Sequence, residues 1–473
     1  KNSMINNKEI LDILVVGSGL SGMTFAEEYL KRNKKINIIS PIIKSYNNND
    51  LQDKFIEKKT LPPQWKKNSN NILNYFTYNN LIFNKRNCNI LGSLEFGGIS
   101  NYWGLQIDKN ISQDLMNFKK KTQKKIKDCF KELIEEKKLI GSYGKYVNDY
   151  KLNEFYENLI SQNYSKQSHF FEKNLIGLSS KIGNDIEIEK NKKKLVKLYP
   201  NSIKNKIKNK IIFHNFVVKK IENKKNFTIV YCKIKNKTKI FKTKKLVLAC
   251  GTIVTTKLII DFLNIKKEVP IKHHSRLISA YVFKKKIKSL LDFTPSLIEV
   301  KQKKKYDYIA DIRPANKTII KIITSFYFFF KSIDKFLYYF KDYIIFSNTL
   351  LNSKYSNLYI KKNNNNFLIF SKKSKVLNIL KKSQKKIFNF LKLNNLIWPF
   401  YKNSYPGVGA DYHYFGTIVI NAKKKLSVNE NCQLKKNNSI YIIDGSVFDF
   451  KYNFYPLGLM MANAKRIAKF LNK

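Results

Sequence analysis

Residues 11–22 read "LDILVVGSGLSG", and no other stretch limits the fold so strongly. An apolar, β-branched run ends at Gly17, Ser18 and Gly19. A helical pattern starts at Leu20 and runs to about Asn33, and a second apolar run, "INIIS", fills 36–40. Strand, glycine turn, helix and strand within roughly thirty residues make a β–α–β unit. Gly17, Gly19 and Gly22 supply the pattern GxGxxG. The first permits a tight turn, the second lets a pyrophosphate approach the backbone, and the third lets helix and strand pack closely. The pattern alone is weak evidence. It gains force here because it follows a strand, opens a helix and leads to a second strand on schedule. Ser40, followed by Pro41, stands where such units usually end in an Asp or Glu that holds a ribose. Its hydroxyl offers a hydrogen bond without the charge.

A chain of 473 residues, 43% of them hydrophobic, has material for two or more domains. The net charge of +56 would ordinarily suggest nucleic acid or an anionic membrane. The type of basic residue argues otherwise. Only Arg32, Arg86, Arg276, Arg313 and Arg466 are arginines, and the remaining basic residues are lysines. Lysine lacks the planar fork that reads bases and phosphates bidentately. Lys, Asn and Ile are abundant together and share A/T-rich codons, so genomic base bias accounts for the composition, and no nucleic-acid partner is expected. Five cysteines (Cys88, Cys129, Cys232, Cys250 and Cys432) are scattered, with no CxxC pair. This suits a reducing, cytoplasmic setting and offers no metal framework. The first residues show no signal pattern, and no uncharged apolar run approaches the roughly 18 residues of a spanning helix.

Further along, residues 111–139 look like an amphipathic surface helix with Leu115, Phe118, Ile126, Phe130 and Leu133 among its apolar positions. Strands are expected over 210–260, up to a helix near Thr255, and again within 276–313. In "KKLVLACGTIVTTKLII" (244–260) a buried strand ends in Ala249, Cys250 and Gly251 and enters a helix near Thr255. The aromatic stretch 319–346 places Phe329, Ile333, Phe336, Leu337, Phe340 and Ile344 on one helical face. A core helix is the plainer reading, and an interfacial helix touching a membrane is the sharper one. "SIYIIDGSVF" (439–448) is a strand entering a turn, and Pro456 opens a final helix through about Leu471. Just before these lies "HYFGT", holding His413, one of five histidines.

Together with "FGGISNYWG" (96–104), these segments resemble the glucose–methanol–choline oxidoreductase family of flavoenzymes. The resemblance covers 11–40, 92–108 with 211–260, and 408–471, somewhat under half the chain. Residues 270–400 carry no family motif. It implies an α/β fold (α+β overall) with a Rossmann-like FAD-binding domain built from discontinuous segments, 8–115, 205–275 and 406–473. A substrate-binding or cap domain with a mixed or antiparallel sheet would come from 116–204 and 276–405. The resemblance assigns Gly17, Ser18, Gly19 and Gly22 to the pyrophosphate, and Gly97, Gly98, Ser100 and Asn101 to a segment along the flavin. Val218 would lie near the adenine, although an ordinary core valine is an equal reading. Gly251, Asp444, Gly445 and Pro456 would line the cofactor from late strands and the last helix. Some sugar-oxidising members carry a flavin-linked His before the Trp. Tyr102 precedes Trp103 here, which implies non-covalent FAD.

His413, Gly416 and Thr417 match the family's HxxGT segment, and His413 is implied as the base. The second catalytic position falls on Tyr455, where the family has His or Asn. A reference pKa of about 10 suits a Tyr to orienting a substrate hydroxyl rather than to taking its proton. The expected activity is FAD-dependent oxidation of a CH–OH group in a sugar or other alcohol, with a leaning toward sugar-type members and glycan metabolism. Two alternatives stay open. One is a flavin-dependent reductase or desaturase acting on a lipid at a membrane surface, with peripheral membrane contact through 319–346. The other is a basic binding protein with a degenerate flavin fold. The residues do not distinguish oxygen from another electron acceptor.

Overall fold

The computed structural model describes residues 4–41, 83–94, 96–102, 106–108, 111–136, 139–140, 157–162, 164, 167–173, 175–177, 188–189, 192–193, 200–287, 298–304, 306–315, 339–364, 366–435, 437–452 and 454–473. Strands Ile211–His214, Ile36–Ile39, Met4–Val16, Lys237–Leu248 and Asn437–Ile442 run parallel, in that order. Parallel strands are covered on both faces, so they read as unbroken apolar runs. Leu14–Val16, Leu246–Leu248 and Ile440–Ile442 are such runs, and all are buried. Val217–Asn223 and Thr228–Ile234 add an antiparallel meander that leads into Lys237–Leu248. The first half of that long strand pairs with the meander, and its end pairs with both Met4–Val16 and Asn437–Ile442.

Helices Leu20–Tyr29, Thr252–Phe262 and Leu457–Leu471 pack on this sheet. The helix expected near Thr255 begins three residues earlier, because Gly251 takes a φ of +83° and turns the chain directly out of the strand. Helix Lys120–Glu135 lies against Leu457–Leu471. Its Ile126, Phe130 and Leu133 are buried, as are Leu115 and Phe118 just before it. Each such side chain contributes about 1.5–3 kcal/mol by leaving water. Lys465 of the last helix is 2% exposed and meets Glu28 at 3.4 Å, Glu132 at 3.1 Å and Glu136, which joins three helices through one ammonium. Burial opposes its charge, but the three carboxylates outweigh burial and hold it protonated well above the ordinary lysine range.

A second, antiparallel sheet has the order Ile397–Ser404, Arg276–Phe283, Ile344–Leu351, Tyr308–Pro314, Ile298–Gln302, His169–Lys173. Helix Val376–Leu393 covers one of its faces, and the two share a core of their own. A smaller sheet, Val269–Ile271, Leu358–Asn363, Asn366–Ser371 and Phe83–Arg86, sends Leu358, Ile360, Phe367 and Ile369 into the first core. The fold is thus α/β, a Rossmann-like parallel sheet built from discontinuous segments beside an antiparallel-sheet unit.

Of the helical face expected over 319–346, residues 316–338 lie outside the described residues. The described end corrects the expectation. Ile344–Phe346 are strand, paired on both sides, since β-branched and aromatic residues in the middle of a sheet follow the ladder rather than a helical spacing. Among the described residues no helix is long and apolar enough to cross a membrane.

Candidate active site

The glycine turn is built by close approach. A Cβ on Gly17 would lie 2.2 Å from the Ala249 carbonyl oxygen, and one on Gly22 would lie 2.2 Å from the Gly17 oxygen. Gly19, the first residue before helix Leu20–Tyr29, has its nearest neighbour, Ser100 Oγ, 3.6 Å from such a Cβ. The helix has no side-chain cap and no acidic residue in its first turn, so its N-terminus suits an anion. The segment Gly97–Ser100 folds over this turn. Gly97 N–H donates to Ser18 Oγ at 2.9 Å, Ser100 Oγ donates to the Gly97 oxygen at 2.6 Å, and Leu20 N–H donates to Ser100 Oγ at 3.2 Å. Gly98 and Asn101 lie in the 3-10 turn Gly98–Tyr102. Ser40 is buried, and its hydroxyl pairs with Ser18 Oγ at 2.7 Å. The residue standing where a ribose carboxylate was sought therefore braces the glycine turn.

The late strand ends converge on "HYFGT". Thr252 Oγ1 donates to the Tyr414 oxygen at 2.6 Å, Gly416 N–H to the Gly445 oxygen at 3.3 Å, and the hydroxyls of Thr417 and Thr256 meet at 2.6 Å. Gly445 has to be glycine, because a Cβ there would sit 2.8 Å from the Tyr414 oxygen and 2.9 Å from Thr252 Oγ1. Asp444 is fully buried, accepting from Ser446 N–H at 3.0 Å and Thr255 Oγ1 at 2.5 Å, and burial pushes its carboxyl up. On the other side, Phe415 exchanges backbone hydrogen bonds of 2.9 Å with Lys272. Val218 is buried in the first core, opposite Cys232 in its ladder. Pro456 is the cap residue of helix Leu457–Leu471.

His413 stands where these anchors meet the antiparallel sheet. Its ring centroid is 6.0 Å from that of His274 and 5.9 Å from that of Tyr455, both edge-on. Its Nδ1 is buried without a partner among the described residues. Burial lowers its pKa to about 4, with Asp411 opposing that effect and Arg276 adding to it, so the ring is neutral at pH 7. Tyr412, just before it, holds a left-handed φ of +68°, unusual for a bulky residue and typical of strained functional sites.

The residues around His413 complete the arrangement. Asp411 Oδ1 meets His273 Nδ1 at 2.9 Å, and its Oδ2 accepts His274 N–H at 2.9 Å. Burial would raise this carboxyl, but His273 outweighs it and holds it below its ordinary value. His274 Nδ1 donates to the Leu351 oxygen at 3.0 Å, which fixes its tautomer. The Tyr455 hydroxyl donates to Asp311 Oδ2 at 3.2 Å. Asp311 also accepts from Arg313 at 2.5 Å and from the Asn348 backbone N–H at 2.6 Å. Burial alone would push its carboxyl up, but Arg313 and Asn348 outweigh this.

Of the residues singled out in sequence, His413 and Tyr455 come together, as do Gly97 and Ser100 with the glycine turn, and Gly251, Asp444 and Gly445 at the strand ends. His273, His274, Arg276, Asp311 and Asp411 were missed. "HHSR" (273–276) was the available signal, since it holds two of the five histidines and one of the five arginines. Among the described residues no group of three His, Cys, Asp or Glu is placed to hold a metal ion.

No family model and no curated protein matches the chain. Among solved structures it is similar to pyridoxine 4-oxidase from Mesorbium loti, with a TM-score of 0.64, 10% identity, 97% of this chain covered and 99% of that one. At that identity the likeness establishes the fold. It agrees with the glucose–methanol–choline resemblance at the level of architecture and carries nothing about sugars.

Proposed function

We propose that the chain is a FAD-dependent oxidoreductase that oxidises a CH–OH group, with His413 as the base. The observation that carries this reading is a neutral, half-buried imidazole with a buried Nδ1, held between the strand ends of a dinucleotide-type sheet and a polar face of a second sheet. The residues present fit a dinucleotide. The uncapped N-terminus of Leu20–Tyr29 suits the pyrophosphate, and a Cβ on Gly251 would meet nothing within 4 Å, leaving space beside the strand end. Gly97, Gly98, Ser100 and Asn101 would flank the ring system, and Tyr102 in place of a His before Trp103 favours non-covalent binding. When bound, a flavin supplies the two-electron oxidation.

The chain's own residues handle the proton and the geometry. His413, neutral at working pH, takes the hydroxyl proton as the carbonyl forms. Asp411 fixes the His273–His274 backbone against the His413 loop. Tyr455, with its hydroxyl committed to Asp311, sets the wall opposite His413. The helix beginning after Pro456 would offer its positive end to the bound ring system. The likeness in fold to a pyridoxine 4-oxidase supports the reading. The test is a flavin spectrum in the purified protein, followed by anaerobic bleaching with a panel of sugars and other alcohols. Colourless protein that takes up no FAD on reconstitution would defeat the proposal.

A second reading has one observation in its favour. Trp398, Phe400 and Tyr401 on the edge strand, with Leu393 beside them, are 43–80% exposed, a surface suited to a lipid interface. Pelleting with anionic liposomes, together with bleaching by lipid alcohols alone, would favour it.

A further inference from the structure

The face of the antiparallel sheet that looks toward His413 carries Arg276, on the first residue of strand Arg276–Phe283. Its guanidinium lies over the Tyr412 ring, 5.6 Å from Cζ to the centroid, immediately before His413 in sequence. Nε and Nη2 are buried and have no hydrogen-bond partner among the described residues. These two nitrogens form the side-on edge of the guanidinium, whose parallel N–H groups match the two oxygens of a carboxylate or phosphate. Neighbouring acids are already engaged. Asp411 serves His273 and the His274 N–H, while Asp311 serves Arg313, Asn348 and Tyr455. Buried guanidinium nitrogens without an acceptor are costly to hold. Residue choice points the same way. The chain uses lysine almost everywhere a positive charge suffices, with five arginines among 90 basic residues. Arginine at 276 keeps the fork that lysine lacks.

We propose that Arg276 binds an oxyanion of the substrate, so that the alcohol oxidised at His413 carries a carboxylate or phosphate group. This rests on the oxidoreductase reading for the alcohol, but not for the anion. Contact with the Tyr412 ring restrains the guanidinium. The fork grips two oxygens, and the substrate's hydroxyl carbon is thereby delivered to the His413 ring on the adjacent residue. Tyr412's left-handed backbone is what brings that ring and the imidazole to successive positions facing one site.

The test uses the flavin-loaded full chain and two non-oxidisable probes, oxalate and inorganic phosphate, with binding measured by calorimetry. Wild type is expected to bind one of them, and the preferred probe identifies the oxyanion. Arg276→Gln should weaken that binding about 30-fold or more, in line with loss of a bidentate charged pair. Arg276→Lys, which keeps the charge and loses the fork, should fall between them. Thermal melts establish that each variant is folded. In turnover, Arg276→Gln should raise KM for anionic alcohols far more than for neutral ones, so that the ratio of the two KM values changes. Absence of binding by wild type, or equal binding by folded Arg276→Gln, overturns the proposal. Anion binding that depends on Arg276, without bleaching by any alcohol, supports the proposal while defeating the oxidoreductase reading.

Discussion

The two faces of the six-stranded antiparallel sheet share strands, register and neighbours along the chain, yet the buried charged network lies on one of them, beside two small apolar clusters that include Ile309, Leu350 and Phe346. Toward helix Val376–Leu393, alternate positions present Leu277, Tyr281, Phe283, Ile298, Ile312 and Ile345. Toward His413, the intervening positions present Arg276, Asn348, Asp311, Glu299 and Lys301. Lys301 meets Glu172 at 2.6 Å, Glu299 at 3.1 Å and Asp108 at 3.4 Å, at 7% exposure. Burial works against its charge, but the three carboxylates hold it protonated well above the ordinary lysine range. Apolar isosteres would be as stable as such a network or more so. Its presence on one face alone means that this face was selected for what it meets, and the other for what it buries.

Five substitutions or conditions sharpen that contrast. His413→Ala should retain bound flavin and cut anaerobic flavin reduction roughly 10²–10⁴-fold, and unchanged stopped-flow rates would remove His413 from the chemistry. Lys301→Met should lose about 3–5 kcal/mol of stability, because Glu299 and Asp108 are left buried without a counter-charge. Leu380→Ala on the covering helix should lose about 2–5 kcal/mol by making a cavity, with kcat unchanged in the surviving folded protein. Urea midpoints with activity assays check both, and a kcat loss in Leu380→Ala as large as in the polar-face variants would erase the contrast.

The fourth test is acid. His169, on the apolar side, and His413 are each held near pKa 4, chiefly by burial, against about 6.5 when unfolded. The unfolded chain therefore binds more protons between those values. The stability due to these rings is complete above about pH 6.5 and is lost as pH falls toward 4. Thermal midpoints should drop from pH 7 to pH 5, and His169→Gln should flatten part of the slope. An unchanged midpoint would show that the rings are not buried as described. Smallest is Tyr455→Phe, which removes one donor from Asp311. About 1 kcal/mol of stability and a several-fold change in kcat are expected, since Arg313 and Asn348 still hold that carboxylate.

What could be read in advance was local. Gly17, Gly19 and Gly22 meet their reasons within or beside one turn, and doubly covered strands announce themselves as apolar runs. The partners of His413 could not be read that way. Asp411 is two residues away, but what it pairs with, His273, is 138 residues distant. Arg276 and Asp311 reach the same face only through strand register, which no single segment encodes. Ile344–Phe346 was misjudged for the same reason, because its helical spacing yielded to strands on either side. Ser40 was legible as a departure. Its bond to Ser18 was not.

The threading of the parallel sheet also sets a timetable. Asn33 bonds Asn472 across 439 residues, and the last helix lies against the first. At synthesis rates of about 5–20 residues per second, the opening β–α–β unit waits on the order of 20–90 s for that helix. Once made, the strand end Leu246–Leu248 lacks its neighbour Asn437–Ile442 for roughly 10–40 s of that interval. A growing chain thus carries an unpaired edge through that stretch of its synthesis, and its demand for chaperones should rise with slower translation.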